Sequence, residues 1–298
     1  MLKQPNSLKP GDLIEIISTA RKIDISQMDG VQKLLEGWGF RVKWGAAIRK
    51  EFHQFCGTDE ERAKDLQDAI DNPEVKAILC FRGGYGTIRI LDKVDFSGLV
   101  QNPKWIVGYS DVTALHGQLN KLGLMSIHGS MPVNFMGNTP EALNSLRNAL
   151  EGSSNTYRFD ARELNRLGSA TGELIGGNLS MIYSIAGTPY DFDFEDKILF
   201  IEDLDEYLYH IDRMMQNLKH SGKLAELKGL IVGGMTDMND NTIPFGSSAV
   251  ETISKAVSEY DYPVCFDFPV GHIDDNRALV IGKECAISVS NQEVIFKQ

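Results

Sequence analysis

Ser110, Glu202 and His272 are of the residue types that a chemically complete set for acyl transfer needs. In such a set a histidine takes the proton of a serine, while a carboxylate fixes the histidine tautomer and stabilises the imidazolium. Each of the three stands where a side chain is readily aimed. Ser110 follows the apolar run 105–107 within Gly108-Tyr109-Ser110-Asp111-Val112 and leads into a helical pattern over 112–122. Glu202 closes the apolar run ILFIE, and His272 follows Val270-Gly271 on a turn after another apolar run. Plainer readings stand beside these. A serine before a helix is an ordinary N-cap. Glu202 and Asp203 can cap a helix expected over 205–219, and His272 can be a loop histidine. The serine segment matches only the first half of a G-x-S-x-G elbow, because Val112 stands where the last glycine would be.

A glycine turn, CFRGGYGT at 80–87, is the other chemistry-bearing stretch. Its glycines let the backbone approach a ligand closely and point N–H groups inward, as an anion or oxyanion cradle does. A tight structural turn fits the same residues. The segment lacks G-K-[ST], and G-G-x-G does not have dinucleotide-fingerprint spacing. The Asp111 N–H, following the serine, is a second candidate oxyanion donor at the start of a helix. Arg82, beside the turn, is a candidate for gripping a carboxylate bidentately, with a structural ion pair as the alternative. Cys80 lies in the apolar run and reads as a buried thiol, and His116 and His210 as surface or half-buried residues.

The elements that must position these residues alternate in the first half of the chain. Strand patterns at 13–18, 41–44, 75–81 and 105–107 are separated by helical patterns at 28–38, 59–71, 87–91 and 112–122. This predicts a parallel sheet with helices on both faces, whose ligands bind beyond the carboxyl ends of the strands. Past residue 150 the chain turns polar and aperiodic, and shorter strand patterns follow at 197–202, 229–233, 264–268, 277–281, 285–289 and 294–297, with helical stretches at 205–219 and 247–260. The fold class expected is α/β: an N-terminal parallel-sheet domain over 1–152, a linker over 153–170, and a smaller β-rich domain over 171–298.

Composition narrows the function classes. At 298 residues and 42% hydrophobic content the chain has the make-up of a soluble two-domain protein, and a formal net charge of −11 argues against a nucleic-acid partner. A local pocket can still be positive on an acidic protein. The absence of a leader-like N-terminus and of any membrane-length apolar run points to the cytoplasm and no membrane partner. Four scattered cysteines fit reduced thiols, and six histidines without paired spacing predict no metal site.

Several blocks in order, CGTDEERAKDLQDAI (56–70), AILCFRGGYGTIRIL (77–91), PKWIVGYSDVTALH (103–116), GGNLSMI (176–182), ILFIEDLDEYLYHIDRMM (198–215) and PVGHIDDN (269–276), give the chain its family likeness. Over nearly its whole length it resembles the LD-carboxypeptidase family of serine peptidases, which includes the microcin C self-immunity peptidases. The resemblance implies that Ser110 is the nucleophile, Glu202 the carboxylate and His272 the histidine, with Gly84 and Asp111 N–H groups as the oxyanion hole. It implies an N-terminal α/β domain carrying the serine and a C-terminal domain carrying the other two, a site between domains, and commonly a homodimer. The implied activity is release of the terminal D-alanine from a murein tetrapeptide in peptidoglycan recycling, without a cofactor. The alternative is cleavage of an acyl-adenylate-like substrate. Two blocks depart from the family: Ser18-Thr19-Ala20 stands where S-P-S is frequent, and His128-Gly129-Ser130 where H-G-P is usual.

Overall fold

In the computed structural model, which describes residues 2–298, the chain forms two units. The first comprises the chain to Ser153 together with Asp274–Gly282. Its elements are β1 (Leu13–Ile17), α1 (Met28–Gly37), β2 (Arg41–Trp44), α2 (Asp59–Asp71), β3 (Val75–Cys80), α3 (Ser97–Gln101), β4 (Trp105–Gly108), α4 (Thr113–Lys121), β5 (Ser126–His128) and α5 (Pro140–Glu151). The five strands pair in the parallel order β5-β4-β3-β1-β2. All residues of β1 and β4 are buried, as strands covered on both faces require. Ile14, Ile16, Leu79, Val107 and Ile127 form the middle of the core, against Val31 and Leu35 of α1 and Leu146 and Leu150 of α5.

Helix α2 occupies the predicted 59–71 because its ends are well specified. Thr58 and Glu61 form a reciprocal capping box, three acidic residues occupy the first turn, and the buried Lys104 Nζ donates to the carbonyls of Ala69, Ile70 and Asn72 at the other end. This anchoring matters because Arg62, on its buried face, reaches the glycine turn. The helix expected over 87–91 is replaced by the short 3-10 turns Thr87–Arg89 and Leu91–Lys93.

The second unit begins with β6 (Thr156–Asp160), followed by β7 (Gly168–Asn178), α6 (Leu179–Ile185), β8 (Ile198–Leu204), α7 (Leu208–His220), β9 (Gly229–Thr236), α8 (Ala249–Ala256) and β10 (Val264–Cys265). The chain then returns to the first sheet, where β11 (Leu279–Ile281) pairs antiparallel with β5, before β12 (Glu284–Val289) and β13 (Glu293–Lys297) complete the second. That sheet has the order β10-β9-β8-β7-β12-β13-β6, parallel over its first four strands and antiparallel thereafter.

Two segments differ from the sequence reading. The expected linker over 153–170 contains β6, whose Tyr157 is buried and stacks on Phe296 with ring centroids 5.8 Å apart. Its alternation T-Y-R-F-D has the two-residue period of an edge strand, obscured by polar neighbours. The strand pattern at 277–281, expected in the second domain, belongs to the first unit, because Leu279 and Ile281 pair with His128 and Ser126.

Candidate active site

Ser110 stands at the carboxyl end of β4, the edge at which parallel sheets bind ligands. Its φ of 63° lies in the left-handed region, which costs a non-glycine residue about 1–3 kcal/mol and recurs at functional turns. The hydroxyl does not serve as a cap: neither the 3-10 turn Ser110–Val112 nor α4 has a side-chain hydrogen bond at its N-cap, and those positions are held by Tyr109 and Val112. Sterics explain the valine in place of a second elbow glycine. A Cβ on Gly108 would lie 2.8–3.0 Å from the Val112 side chain, so here the bare residue comes before the serine and the branched one after it. Beneath the turn, His116 Nε2 lies 2.9 Å from the Gly108 carbonyl and Nδ1 2.8 Å from the Ser126 hydroxyl. His116 is therefore a fully buried residue, not a surface or half-buried one, and burial pushes it down to about 4, with the Gly108 hydrogen bond opposing. It stays neutral at physiological pH, donating from Nε2 to the carbonyl.

The glycine turn lies directly against the serine. A Cβ on Gly83 would sit 3.2 Å from Ser110 Cβ, 3.3 Å from its Oγ and 3.4 Å from the Asp111 nitrogen. A side chain at residue 83 would crowd both the hydroxyl and the N–H. The Asp111 carboxylate ties the two segments together, accepting from the Thr87 N–H at 2.8 Å. Its burial holds that carboxyl above the usual range, against the Thr87 hydrogen bonds and the nearby Arg62. Gly84 is exposed with φ 112°, and a Cβ there would lie 2.5 Å from Arg21 Cδ. Arg82 is half-buried and donates from Nη1 to the Lys22 carbonyl at 3.1 Å. Cys80 is fully buried, and burial pushes its thiol up to about 12, leaving it no thiolate character.

In the second unit, Glu202 and His272 come together across 70 residues of sequence. Glu202, on β8, is fully buried, and its Oε2 lies 2.7 Å from His272 Nδ1. Neither it nor Asp203 caps α7, whose N-cap Tyr207 has no side-chain bond. Burial disfavours the charged imidazole, but the Glu202 charge and hydrogen bond, with the Asp203 charge, outweigh it and hold His272 above its ordinary value. Gly271 permits the approach. Its φ is 106°, and a Cβ would fall 2.6 Å from Glu202 Cβ and 2.7 Å from Oε2. The Thr236 hydroxyl donates to the His272 carbonyl at 3.3 Å.

Asp203 anchors this pair. Its carboxylate accepts from Asn178 Nδ2 at 2.8 Å, from the Ser180 N–H at 2.9 Å and from the Leu204 N–H at 2.9 Å. It thus fastens β8 to the end of β7 and to the start of α6. Burial first, and Glu202 next, push it up to about 7. Where β8 pairs with β9 the register shifts between Ile201 and Asp203, which accommodates two adjacent buried carboxylates at a strand end.

The residues expected to form the site divide between the units: Ser110, Asp111, Gly84 and Arg82 lie in the first, Glu202 and His272 in the second. Sequence reasoning did not single out Gly83, Arg21, Asn178, Asp203 as an anchor, or Gly271. The glycine and carboxylate pairs GG and ED were visible, but which member faces the chemistry is a matter of backbone direction. Among the described residues no cluster of histidine, cysteine and carboxylate side chains suits a metal ion, and no helix is long and apolar enough to cross a membrane.

Two family models match the chain in succession. Residues 14–129 match the LD-carboxypeptidase N-terminal domain and residues 171–287 the LD-carboxypeptidase C-terminal domain. A Bacillus subtilis protein named "Probable murein peptide carboxypeptidase" is 34% identical over 99% of this chain and 94% of its own length. The crystal structure of muramoyltetrapeptide carboxypeptidase from Oxalobacter formigenes superposes with a TM-score of 0.87 at 28% identity, covering 96% of this chain and 98% of that one. The microcin C7 self immunity protein MccF, in complex with aspartyl sulfamoyl adenosine, shares the fold, with a TM-score of 0.87 at 23% identity, covering 100% of this chain and 98% of that one.

Proposed function

This chain belongs to the LD-carboxypeptidase family, and from that premise we propose that it removes the terminal D-alanine of a murein tetrapeptide by hydrolysing the bond after the L-centre of the third residue. The observation that carries the chemistry is the buried Glu202–His272 hydrogen bond of 2.7 Å, an acid–base pair already formed in the second unit. The murein substrate is supported by what the Bacillus subtilis and Oxalobacter formigenes relatives are named for.

In this reading Ser110 attacks the carbonyl carbon while His272 takes its proton, and Glu202 holds the Nδ1–H tautomer and stabilises the imidazolium. The Gly84 and Asp111 N–H groups stabilise the oxyanion. Removing one such donor typically costs roughly a hundred- to a thousand-fold in rate. His272 then returns the proton to the leaving D-alanine nitrogen, and water, activated by the same histidine, releases the acyl group. The same reading places a homodimeric enzyme in the cytoplasm, in peptidoglycan recycling.

A second reading, hydrolysis of an acyl-adenylate-like compound, draws on the exposed Tyr207 and Tyr209, whose ring centroids lie 5.7 Å apart beyond β8 and offer a surface for stacking a base. Incubation with murein tetrapeptide, with D-alanine as the readout, decides. Release by the wild type and none by Ser110→Ala is expected. No release by the wild type, or undiminished release by the variant, overturns the murein reading, and hydrolysis confined to an aspartyl-adenylate analogue supports the second.

A further inference from the structure

We propose that Arg21 and Arg82 form a two-armed recognition site for the terminal carboxylate of the substrate, Arg21 being the arm that reaches across the glycine turn. This deepens the carboxypeptidase reading and rests on it.

The first observation is charge. The chain carries a net charge of −11, yet the guanidiniums of Arg21, Arg62, Arg82 and Arg89 gather at the glycine turn against the carboxylates of Asp59 and Asp111. Arg62 and Arg89 are already committed. Both pair with Asp59, and Arg62 also donates to the carbonyls of Thr19 and Gly86. Asp111 is buried and accepts from the Thr87 N–H. The arginine ion pairs among the described residues involve neither Arg21 nor Arg82. Among the described residues neither guanidinium is in an ion pair, at a turn where four guanidiniums face two carboxylates.

The second observation is their state. Arg82 is half-buried, spends one Nη1 donor on the Lys22 carbonyl, and keeps a buried Nε–H with no partner. Burial, then the repulsion of Arg21, holds its basicity below the ordinary value. A carboxylate bound between the two relieves both penalties, and a guanidinium fork matches its geometry.

The third observation is distance from the reacting atom. The Cβ position of Gly84 lies 2.5 Å from Arg21 Cδ and 2.7 Å from its Nε, while that of Gly83 lies 3.3 Å from Ser110 Oγ. Arg21 and Ser110 therefore pack on successive residues of one turn, Gly84 and Gly83. In a substrate, the carboxylate carbon of the last residue is separated from the scissile carbonyl carbon by only the amide nitrogen and one Cα, so a carboxypeptidase has to hold that carboxylate close to its nucleophile. Gly84 lacks a side chain because any would displace Arg21.

The test measures binding to the full-length Ser110→Ala protein, by calorimetry, of murein tetrapeptide with a free C-terminus and of its C-terminal amide. The carboxylate form is expected to bind more tightly, and Arg21→Gln and Arg82→Gln each to weaken it about ten- to a hundred-fold while leaving the amide unaffected. In the active protein the same substitutions should raise KM for the free tetrapeptide more than they lower kcat. Because Arg21 is exposed, its replacement leaves the fold intact even where that of Arg82 does not. Equal affinity for the two peptides, or equal losses for both on substitution of Arg21, overturns the inference alone. Failure of Ser110→Ala to bind either peptide, with no D-alanine released by the wild type, overturns the carboxypeptidase reading with it.

Discussion

The serine turn of the first unit and the Glu202–His272 pair of the second solve different physical problems. The turn is held by shape. Ser110 has a left-handed φ of 63°, Gly83 leaves room for its hydroxyl, and Gly108 leaves room for Val112. The histidine beneath it, His116, is kept uncharged by burial. The pair is held by charge. A fully buried glutamate, a histidine raised by it, and a second carboxylate at about 7 meet at the end of one strand. Steric construction makes the turn sensitive to added atoms, whereas electrostatic construction makes the pair sensitive to lost charge and to pH.

Four substitutions probe that contrast. The largest effect is expected from Glu202→Gln, which preserves shape but loses the charge that fixes the His272 tautomer. It should lower kcat by about 10⁴-fold with little change in secondary structure by circular dichroism. An effect below tenfold would show that Glu202 is not the orienting carboxylate. Gly271→Ala adds a Cβ 2.7 Å from Glu202 Oε2 at a φ of 106°, forcing His272 away from its partner. A loss of about a hundred-fold in kcat is expected, and a variant with wild-type kcat would mean that the approach is less tightly constrained than the geometry indicates.

Gly108→Ala tests the steric half. Its Cβ meets the Val112 side chain at 2.8 Å, and overpacking of this kind costs about 1–3 kcal/mol, to be read as a lower denaturation midpoint. Val112→Ala in the same protein should restore most of the loss. If it does not, the two residues are not coupled and the explanation of the valine fails. The smallest effect is a shift in pH dependence from Asp203→Asn. His272 must be neutral to accept the serine proton, so activity falls as pH drops through its value in the free enzyme. Glu202 and Asp203 both raise that value, and removing one of the charges lowers it. The acid limb of the kcat/KM profile should therefore move to lower pH. An unmoved limb, or one displaced upward, would show that Asp203 anchors the strand without tuning the histidine.

Legibility in the sequence follows the range of the interactions. Helix α2 was readable to the residue because its capping box and acidic first turn are local. The strands of the first sheet were readable because burial on both faces makes them continuous apolar runs. Segment 156–160 was misread as linker because its partner, β13, lies at the far end of the chain. For the same reason, nothing near 279–281 reveals that the strand belongs beside β5. The candidate triad was nameable by residue type and family likeness. That Ser110 is not a helix cap was not legible, since it turns on a backbone angle and on the N-caps being other residues.

Residue type and near-neighbour spacing set the alternation of elements and the family likeness, and they name the candidate serine, glutamate and histidine. The folded chain alone brings Glu202 to His272 across 70 residues, turns Asp203 towards Asn178 and Ser180, and lays Arg21 over Gly84. Those outcomes depend on which way a backbone points where distant segments converge, and hydrophobic periodicity carries no record of that direction.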